Sequence, residues 1–135
     1  MIFGIGTDIL ETKRLSKVMN KYDKKFIHRI YGSNEINIIK NNKNNLDQFL
    51  SKRFAAKEAV WKAFNPKRGV GLLFKEIETL NDKNGKPFLF FSGKTDRYIK
   101  EKEKELRAEL KFNISLSDER KYVIAFVVIS LAPFD

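Results

Sequence analysis

The chain has 135 residues, of which 42% are hydrophobic and 13% aromatic, and its formal net charge is +10. This length and apolar content predict one folded domain, residues 1–135, and exclude a disordered chain. The absence of cysteine excludes disulfides, thiolate metal sites and cysteine nucleophiles, and the presence of a single histidine, His28, excludes a histidine-rich metal site. A catalytic base is therefore expected to be a carboxylate, a lysine or a metal-bound water.

The N-terminus has neither the basic region nor the long apolar segment of a signal peptide. No stretch approaches the roughly 18 apolar residues that would span a bilayer. We therefore expect a cytoplasmic protein without a membrane attachment.

The positive charge is concentrated in the first part of the chain. Residues 1–75 hold 16 Lys and Arg against 6 Asp and Glu, whereas residues 76–135 hold 11 of each. A basic half predicts an anionic partner: nucleic acid, a phosphorylated small molecule or an acidic protein. A genome rich in Lys, Ile and Asn codons would raise the charge but would not explain its asymmetry.

The first nine residues predict a buried strand, in which Gly4 and Gly6 indicate a close backbone approach or a bulge. Asp8, near the end of this strand, needs a cation or hydrogen-bond donors if it is buried. Alternatively, Asp8 caps a helix that begins after it and ends at Met19.

Amphipathic helical segments follow at 11–19 and 22–30, then a helix from Ser33 to Ile39 and a polar loop at 41–45. Basic and apolar side chains alternate around the first two segments. Such a surface fits an acidic helix, although an ordinary solvated surface has the same pattern.

Residues 51–64 predict a central helix, because they combine alanine, lysine, glutamate and aromatic residues without Gly or Pro. Arg53 and Lys57 fall within its apolar arc, Glu58 lies at the edge, and Lys62 lies one turn further along. In one interpretation the basic side chains extend past the core to solvent and Glu58 pairs with Lys62. In the other, these charges form a functional site.

The remainder predicts a glycine-containing turn at 65–71 whose amides, with Lys67 and Arg68, form a weak phosphate-binding signal. Strands at 72–80 and 88–92, a helix at 94–110 and a hairpin of strands 111–116 and 122–131 follow. Residues 123–129 are almost entirely apolar and predict a central strand.

Four stretches together resemble one family. They are Gly4-Ile-Gly-Thr-Asp-Ile9, Arg53-Phe-Ala-Ala-Lys-Glu-Ala59 with Lys62-Ala63, Asn84-Gly-Lys-Pro87 and Asn113-Ile-Ser-Leu-Ser-Asp118. At this spacing, over essentially the whole chain, they resemble the holo-acyl-carrier-protein synthases, which are short 4′-phosphopantetheinyl transferases of fatty-acid biosynthesis. The resemblance implies an α+β fold: a single compact domain with an antiparallel sheet packed against a long central helix. It also implies a homotrimer with active sites between subunits.

The implied reaction is Mg²⁺-dependent transfer of 4′-phosphopantetheine from coenzyme A to a serine of an acidic acyl carrier protein, releasing adenosine 3′,5′-bisphosphate. By the resemblance, Asp8 and Glu58 bind the metal and Glu58 and Lys62 are catalytic. Carboxylates suit this hard cation. The base that deprotonates the serine is either Glu58 or a metal-bound water.

The same resemblance assigns further residues to binding. Arg53, Lys57 and Lys62 are expected to bind coenzyme A. Arg14 is expected to contact the carrier protein, together with Phe26 and Arg29. Many members of the family have His where this chain has Asn113, and because Asn does not titrate, no acid–base role is assigned to this position.

Two other functions compete with the transferase. A small basic nucleic-acid-binding module is consistent with the charge and with aromatic residues between cations. However, no recognition-helix or zinc pattern is present, and Asp8 and Glu58 would serve no purpose against a phosphate backbone. A non-catalytic adaptor for an acidic protein would need Arg14 but neither Glu58 nor Lys62.

Overall fold

A long central helix lies against one face of an antiparallel sheet. The computed structural model of the chain describes residues 1–41, 44–69 and 71–134. The elements, in chain order, are β1 (Ile2–Glu11), α1 (Thr12–Ile30), α2 (Ser33–Asn41), α3 (Leu46–Phe64), a 3-10 turn (Phe74–Glu76), β2 (Ile77–Asn81), β3 (Pro87–Phe91), α4 (Gly93–Leu106), β4 (Glu109–Asp118) and β5 (Tyr122–Ala132). The predicted fold class, an α+β domain with an antiparallel sheet on a central helix, is confirmed.

The larger sheet has the strand order β1-β5-β4, with β5 paired antiparallel to both neighbours. The prediction that β5 is a central strand is therefore correct. Its inward side chains have no exposed surface and face α3; they are Val123, Ala125, Val127 and Ile129.

The outer face of this sheet is open, which corrects the prediction that β1 is a buried strand. Ile5 and Ile9 of β1 are about 60% exposed, and Ile124 and Phe126 of β5 are 42% exposed. Strand alternation explains the difference, because every second side chain of β1 points away from α3.

Strand β1 packs against α3 through backbone contact. A Cβ at Gly4 would overlap the carbonyl oxygen of Ala63, and one at Gly6 would overlap that of Ala59. The close backbone approach predicted from the two glycines is therefore present. It places the end of β1 directly beside α3.

Helix α1 is continuous from Thr12 to Ile30, whereas the sequence predicted two segments. Its N-cap residue is Glu11, which makes no side-chain capping bond, and Asp8 lies inside β1. The alternative in which Asp8 caps this helix is therefore wrong. A second small core forms where α1, α2 and α3 meet, around Leu15, Tyr31 and Leu50.

The C-terminal half departs from prediction at two boundaries. The predicted strand 72–80 begins with the 3-10 turn, and only Ile77–Asn81 pairs with β3. The predicted helix 94–110 ends at Leu106, because Arg107 adopts a left-handed conformation with φ 54° and β4 starts at Glu109. Contact between the rings of Phe91 and Phe112, 4.6 Å between centroids, joins the β2–β3 hairpin to β4.

None of the helices in the described part of the chain has a stretch that is both long and apolar enough to cross a bilayer. Residues 42 and 43 of the predicted polar loop, residue 70 of the predicted turn and residue 135 lie outside the described residues.

Candidate functional site

Three of the predicted site residues meet where β1 crosses α3. Asp8 extends from β1 on the side that faces the helix, as do the two glycines before it. The Lys62 Nζ donates hydrogen bonds to Asp8 Oδ1 at 3.1 Å and to the carbonyl oxygen of Thr7 at 3.0 Å. The Asp8 side chain is 17% exposed and that of Lys62 is 52% exposed, so the site opens to solvent on the lysine side.

Glu58 lies one helical turn before Lys62 and is half-buried. Burial raises the pKa of the Glu58 carboxyl, the nearby Asp8 carboxylate raises it further, and Lys62 opposes both. The two acids are therefore close enough to repel each other. The predicted Glu58–Lys62 pair is not among the ion pairs of the described residues, because Lys62 pairs with Asp8 instead.

This arrangement fits a Mg²⁺ ion. Two carboxylates that repel each other at a half-open surface are stabilised by a hard cation, and Mg²⁺ usually keeps several waters and takes only one or two carboxylates. Within residues 1–41, 44–69 and 71–134, no group of three or more His, Asp or Glu side chains could hold a metal ion. The donor set therefore fits a partly hydrated Mg²⁺ and not a closed structural zinc site.

Lys57 does not join this cluster, although the resemblance assigned it to coenzyme A binding together with Lys62. Its side chain has no exposed surface, and its Nζ forms an ion pair with Glu35 at 2.6 Å. The same ammonium donates to the carbonyl oxygens of Phe74 and Ile77. Burial lowers the pKa of Lys57, and Glu35 opposes this shift.

Arg53 is also held within the subunit, with only 6% of its surface exposed. Its guanidinium donates to Asn81 Oδ1 at 2.7 Å and to the carbonyl oxygen of Thr79 at 3.3 Å, and it lies 3.8 Å from the centre of the Phe49 ring. The Lys57 ammonium is therefore fully engaged by protein groups, and Arg53 uses two of its N–H donors within the subunit. Neither side chain extends to solvent, and the partners recorded for them do not include Asp8 or Glu58.

Glu35, the partner of Lys57, was not predicted from the sequence. This residue is completely buried on a helix of only nine residues. Nothing in the local pattern distinguishes a buried acid from an exposed one, since its partners come from β2 and α3. A buried cation such as Lys57 nevertheless requires an acid partner, and that requirement was the available signal.

The predicted carrier-binding residues lie on one helix. Because α1 is continuous, Arg14 and Arg29 lie on the same side of it, roughly 22 Å apart along the axis. Both are exposed, and Phe26 is half-buried. Phe26 and Arg29 line a cavity of about 470 Å³ together with Val18 and Lys25.

Two further stretches of the family pattern also meet. Asn113 on β4 lines a cavity of about 320 Å³ with Lys86 and Pro87 of the β2–β3 turn. Asp82 shapes this turn by accepting hydrogen bonds from the backbone N–H groups of Asn84 and Lys86. Asp8, Glu58 and Lys62 line neither this cavity nor the one beside Phe26.

A sequence profile of the 4′-phosphopantetheinyl transferase superfamily matches residues 4–127 of the chain. The chain belongs to this superfamily. The match includes β1, α3 and β4, which carry three of the four stretches on which the resemblance was based. The family resemblance is therefore confirmed.

Proteins named holo-(acyl-carrier-protein) synthase match nearly the whole chain. A holo-(acyl-carrier-protein) synthase from Orientia tsutsugamushi (strain Boryong) is 43% identical over 135 residues, covering 96% of this chain and 98% of its own. The synthase structure from Neisseria meningitidis has a TM-score of 0.85 at 33% identity and covers 96% of this chain and 99% of its own. The Bacillus anthracis synthase, in complex with CoA (3′,5′-ADP), has a TM-score of 0.76 at 35% identity and covers 98% of each chain.

Proposed function

We propose that this chain transfers 4′-phosphopantetheine from coenzyme A to a serine of an apo acyl carrier protein. The reaction is Mg²⁺-dependent, releases adenosine 3′,5′-bisphosphate, and takes place in the cytoplasm as part of fatty-acid biosynthesis. The observation that carries the proposal is the convergence of Asp8, Glu58 and Lys62, from β1 and α3, in a member of this superfamily.

In this proposal Asp8 and Glu58 hold the metal. A bound Mg²⁺ supplies positive charge beside the diphosphate as its bond to the transferred phosphorus breaks. Lys62 lies at the exposed side of the same cluster, so its ammonium is placed to neutralise or protonate the leaving phosphate. Glu58 is this chain's own candidate for accepting the serine proton, since it is a carboxylate within the same cluster.

The resemblance assigned Arg53, Lys57 and Lys62 to coenzyme A binding. Of these three residues, only Lys62 is part of the proposed coenzyme A site. Arg53 and Lys57 already have protein partners for their charged groups and have almost no exposed surface. Freeing either group to reach a phosphate would leave carbonyl or carboxylate groups unpaired in the interior, which is costly.

The carrier protein is proposed to bind along α1. Arg14 and Arg29 attract the acidic partner, and the cavity beside Phe26 offers an apolar contact between these charges. This arrangement explains why the basic residues are concentrated in the first half of the chain.

The proposal includes assembly as a homotrimer. The outer face of the β1-β5-β4 sheet carries a row of exposed apolar side chains, among them Ile5, Ile9, Ile124 and Phe126. A contiguous apolar patch of this kind on a folded chain marks a protein interface. A neighbouring subunit would also add a wall to the open cluster around Lys62.

The test is a mass measurement of apo carrier protein after incubation with coenzyme A, Mg²⁺ and the purified protein. We expect a gain equal to one phosphopantetheine group. Asp8→Asn and Glu58→Gln should each lower the rate by about 100-fold or more, because each removes a charge that acts at the reacting phosphate. Asp47→Asn, at the far end of α3, is the matched control and should retain the wild-type rate.

Two results would overturn the proposal. One is an unmodified carrier at every Mg²⁺ concentration. The other is tight binding of duplex DNA that weakens steeply with salt, which would favour the nucleic-acid-binding module instead.

A further inference from the structure

The ammonium of Lys57 joins three separate elements inside the protein. It contacts Glu35 Oε1 on α2 at 2.6 Å, the carbonyl oxygen of Phe74 in the 3-10 turn at 3.0 Å, and the carbonyl oxygen of Ile77 at the start of β2. A lysine ammonium has three hydrogens to donate, and each of them has an acceptor here. The hydrogen-bonding capacity of the Lys57 ammonium is thus fully used within the protein.

Glu35 is itself held firmly by backbone groups. Its side chain accepts hydrogen bonds from the N–H of Gly32 and from the N–H of Thr79, both at 3.1 Å. Its own backbone N–H donates to Glu78 Oε2 at 2.8 Å. Lys57 therefore attaches α3 to a partner that cannot shift independently of α2 and β2.

Much of the buried surface of α3 is formed by small side chains. Four of its completely or nearly buried residues are alanines: Ala55, Ala56, Ala59 and Ala63. Apolar burial has no preferred direction, whereas hydrogen bonds are directional. The Lys57 ammonium, together with the two hydrogen bonds that Arg53 donates to residues of β2, therefore defines the rotational setting of the helix.

Glu58 is the next residue along α3, and its carboxyl is near enough to Asp8 for the Asp8 charge to raise its pKa. Its carboxylate lies roughly 5–6 Å from the helix axis, so a rotation of about 10° would move it by about 1 Å. Functional groups have to be held within about 0.5 Å of their productive geometry. A small rotation of α3 that follows from a change at Lys57 therefore displaces the Glu58 carboxylate by more than the proposed metal site tolerates.

We propose that Lys57, anchored by Glu35, is a positioning residue that sets the rotation of α3 and so directs Glu58 toward Asp8. This inference rests on the metal site of the proposed function. It assigns no contact with substrate to Lys57, which is enclosed by protein. The competing explanation is that the pair serves only the stability of the fold.

The experiment compares Lys57→Met and Glu35→Gln with Ile129→Ala, a destabilising change in the core strand β5. Mn²⁺, which also favours carboxylate ligands, is the probe, and its binding is followed by electron paramagnetic resonance. Measurements are made at a temperature at which circular dichroism shows every variant to be folded. Steady-state kinetics with Mg²⁺ are recorded on the same samples.

We expect Lys57→Met to weaken Mn²⁺ binding by about 10-fold or more, the range found when groups that orient metal ligands are removed. The kcat should fall while the KM for coenzyme A changes by less than about 3-fold, since positioning affects the reacting groups more than uniform binding. Glu35→Gln should act in the same direction. Ile129→Ala should lower Tm but leave Mn²⁺ affinity within about 2-fold of wild type.

Unchanged Mn²⁺ affinity in Lys57→Met would overturn the inference, as would an equal loss in Ile129→Ala. If Lys57→Met does not fold, Glu35→Gln decides by the same criteria. A wild-type protein that binds no Mn²⁺ would overturn the metal site itself. Failure of the site and failure of the positioning role therefore give different results.

Discussion

Among the residues of the proposed site, Glu58 is the one whose negative charge is most clearly disfavoured in the folded chain. Burial and the neighbouring Asp8 carboxylate both raise its pKa, and Lys62 compensates only in part. The chain therefore keeps a repulsion at the place where we propose that a cation binds. Active sites commonly retain such unfavourable interactions at some cost in folding free energy.

This repulsion predicts that Glu58→Gln raises Tm by a few degrees at pH 7.5 in the presence of EDTA. A carboxyl whose folded pKa lies above its unfolded value, about 4.3 for Glu, adds stability below that value and loses it as pH rises through the folded pKa. Glutamine never acquires the charge. The advantage of the variant should therefore disappear below about pH 4.

Thermal unfolding at both pH values, with Glu101→Gln on the exposed side of α4 as the control, measures this effect. Saturating Mg²⁺ should reverse the order of Tm, because an ion bound only to the folded wild type stabilises it. A variant less stable than wild type at pH 7.5 in EDTA would contradict the prediction.

Arg14 provides a second prediction at the residue scale. Arg14→Glu should raise the KM for the carrier protein by about tenfold and leave that for coenzyme A nearly unchanged, because it reverses a charge on the proposed docking face only. Lys104→Glu, an equally exposed change on α4, is the control. Equal effects on the two KM values would exclude α1 as the docking surface.

Sequence alone predicted that Asp8, Glu58 and Lys62 act together, because they belong to short motifs at characteristic spacing, and the structure brings them near one another. It misplaced Arg53 and Lys57, although the same motif contains them. The orientation of a long basic side chain depends on which acceptors the tertiary structure brings near it. For Lys57 these acceptors come from positions 17–22 residues away in the chain, beyond the reach of any helical pattern.

At the scale of elements, the crossing of β1 over α3 is the feature that builds the site. Gly6→Ala should destabilise the protein by about 1–3 kcal/mol or more, because the added methyl group overlaps the Ala59 carbonyl oxygen. To relieve this overlap, β1 has to move away from α3. This movement also takes Asp8 away from Glu58, so activity should fall as well.

Urea unfolding monitored by circular dichroism gives the free energy of unfolding for this comparison. Thr7→Ala, at the adjacent exposed position of β1, is the control and should cost only a few tenths of a kcal/mol on the scale of strand propensities. A Gly6→Ala protein as stable as this control would show that β1 and α3 tolerate separation.

Element types were easier to predict than element ends. The end of α3 and the whole of β5 were located to within one residue, whereas the start of α3 was placed at Ser51 and not at Leu46, α1 was divided in two, and α4 was extended past Leu106. The end of α4 depends on Arg107 adopting a left-handed conformation and on Glu103 accepting a hydrogen bond from the N–H of Leu110. Neither is visible in residue type, since Arg is not a typical helix-terminating residue.

At the scale of the whole molecule, the exposed face of the β1-β5-β4 sheet bears on assembly. Phe126→Asp should convert the proposed trimer to a monomer, because a carboxylate at the centre of an apolar interface loses its hydration without gaining a partner. Sedimentation velocity measures the change in mass. Leu106→Asp, which alters an exposed apolar residue of α4, should leave assembly unchanged.

If the Phe126→Asp protein sediments as an assembly of the same mass as the wild-type assembly, this face is not the subunit interface. A wild-type protein that is already monomeric would exclude the trimer directly. The sequence could not reveal this face, because an uninterrupted apolar strand is equally typical of a fully covered sheet. The predicted domain limits, residues 1–135, stay a prediction.

The backbone contact between Gly6 and Ala59 has a consequence for mutational tolerance. Main-chain atoms set the separation between the segments that carry Asp8 and Glu58, so the lengths of side chains elsewhere in the interior do not enter into it. Exchanges among larger apolar residues, such as Val127 or Ile129, should alter heat resistance without altering turnover. Most of the apolar interior is thus open to engineering for thermostability, while the glycines of β1, the alanines opposite them and the buried Lys57–Glu35 pair are not.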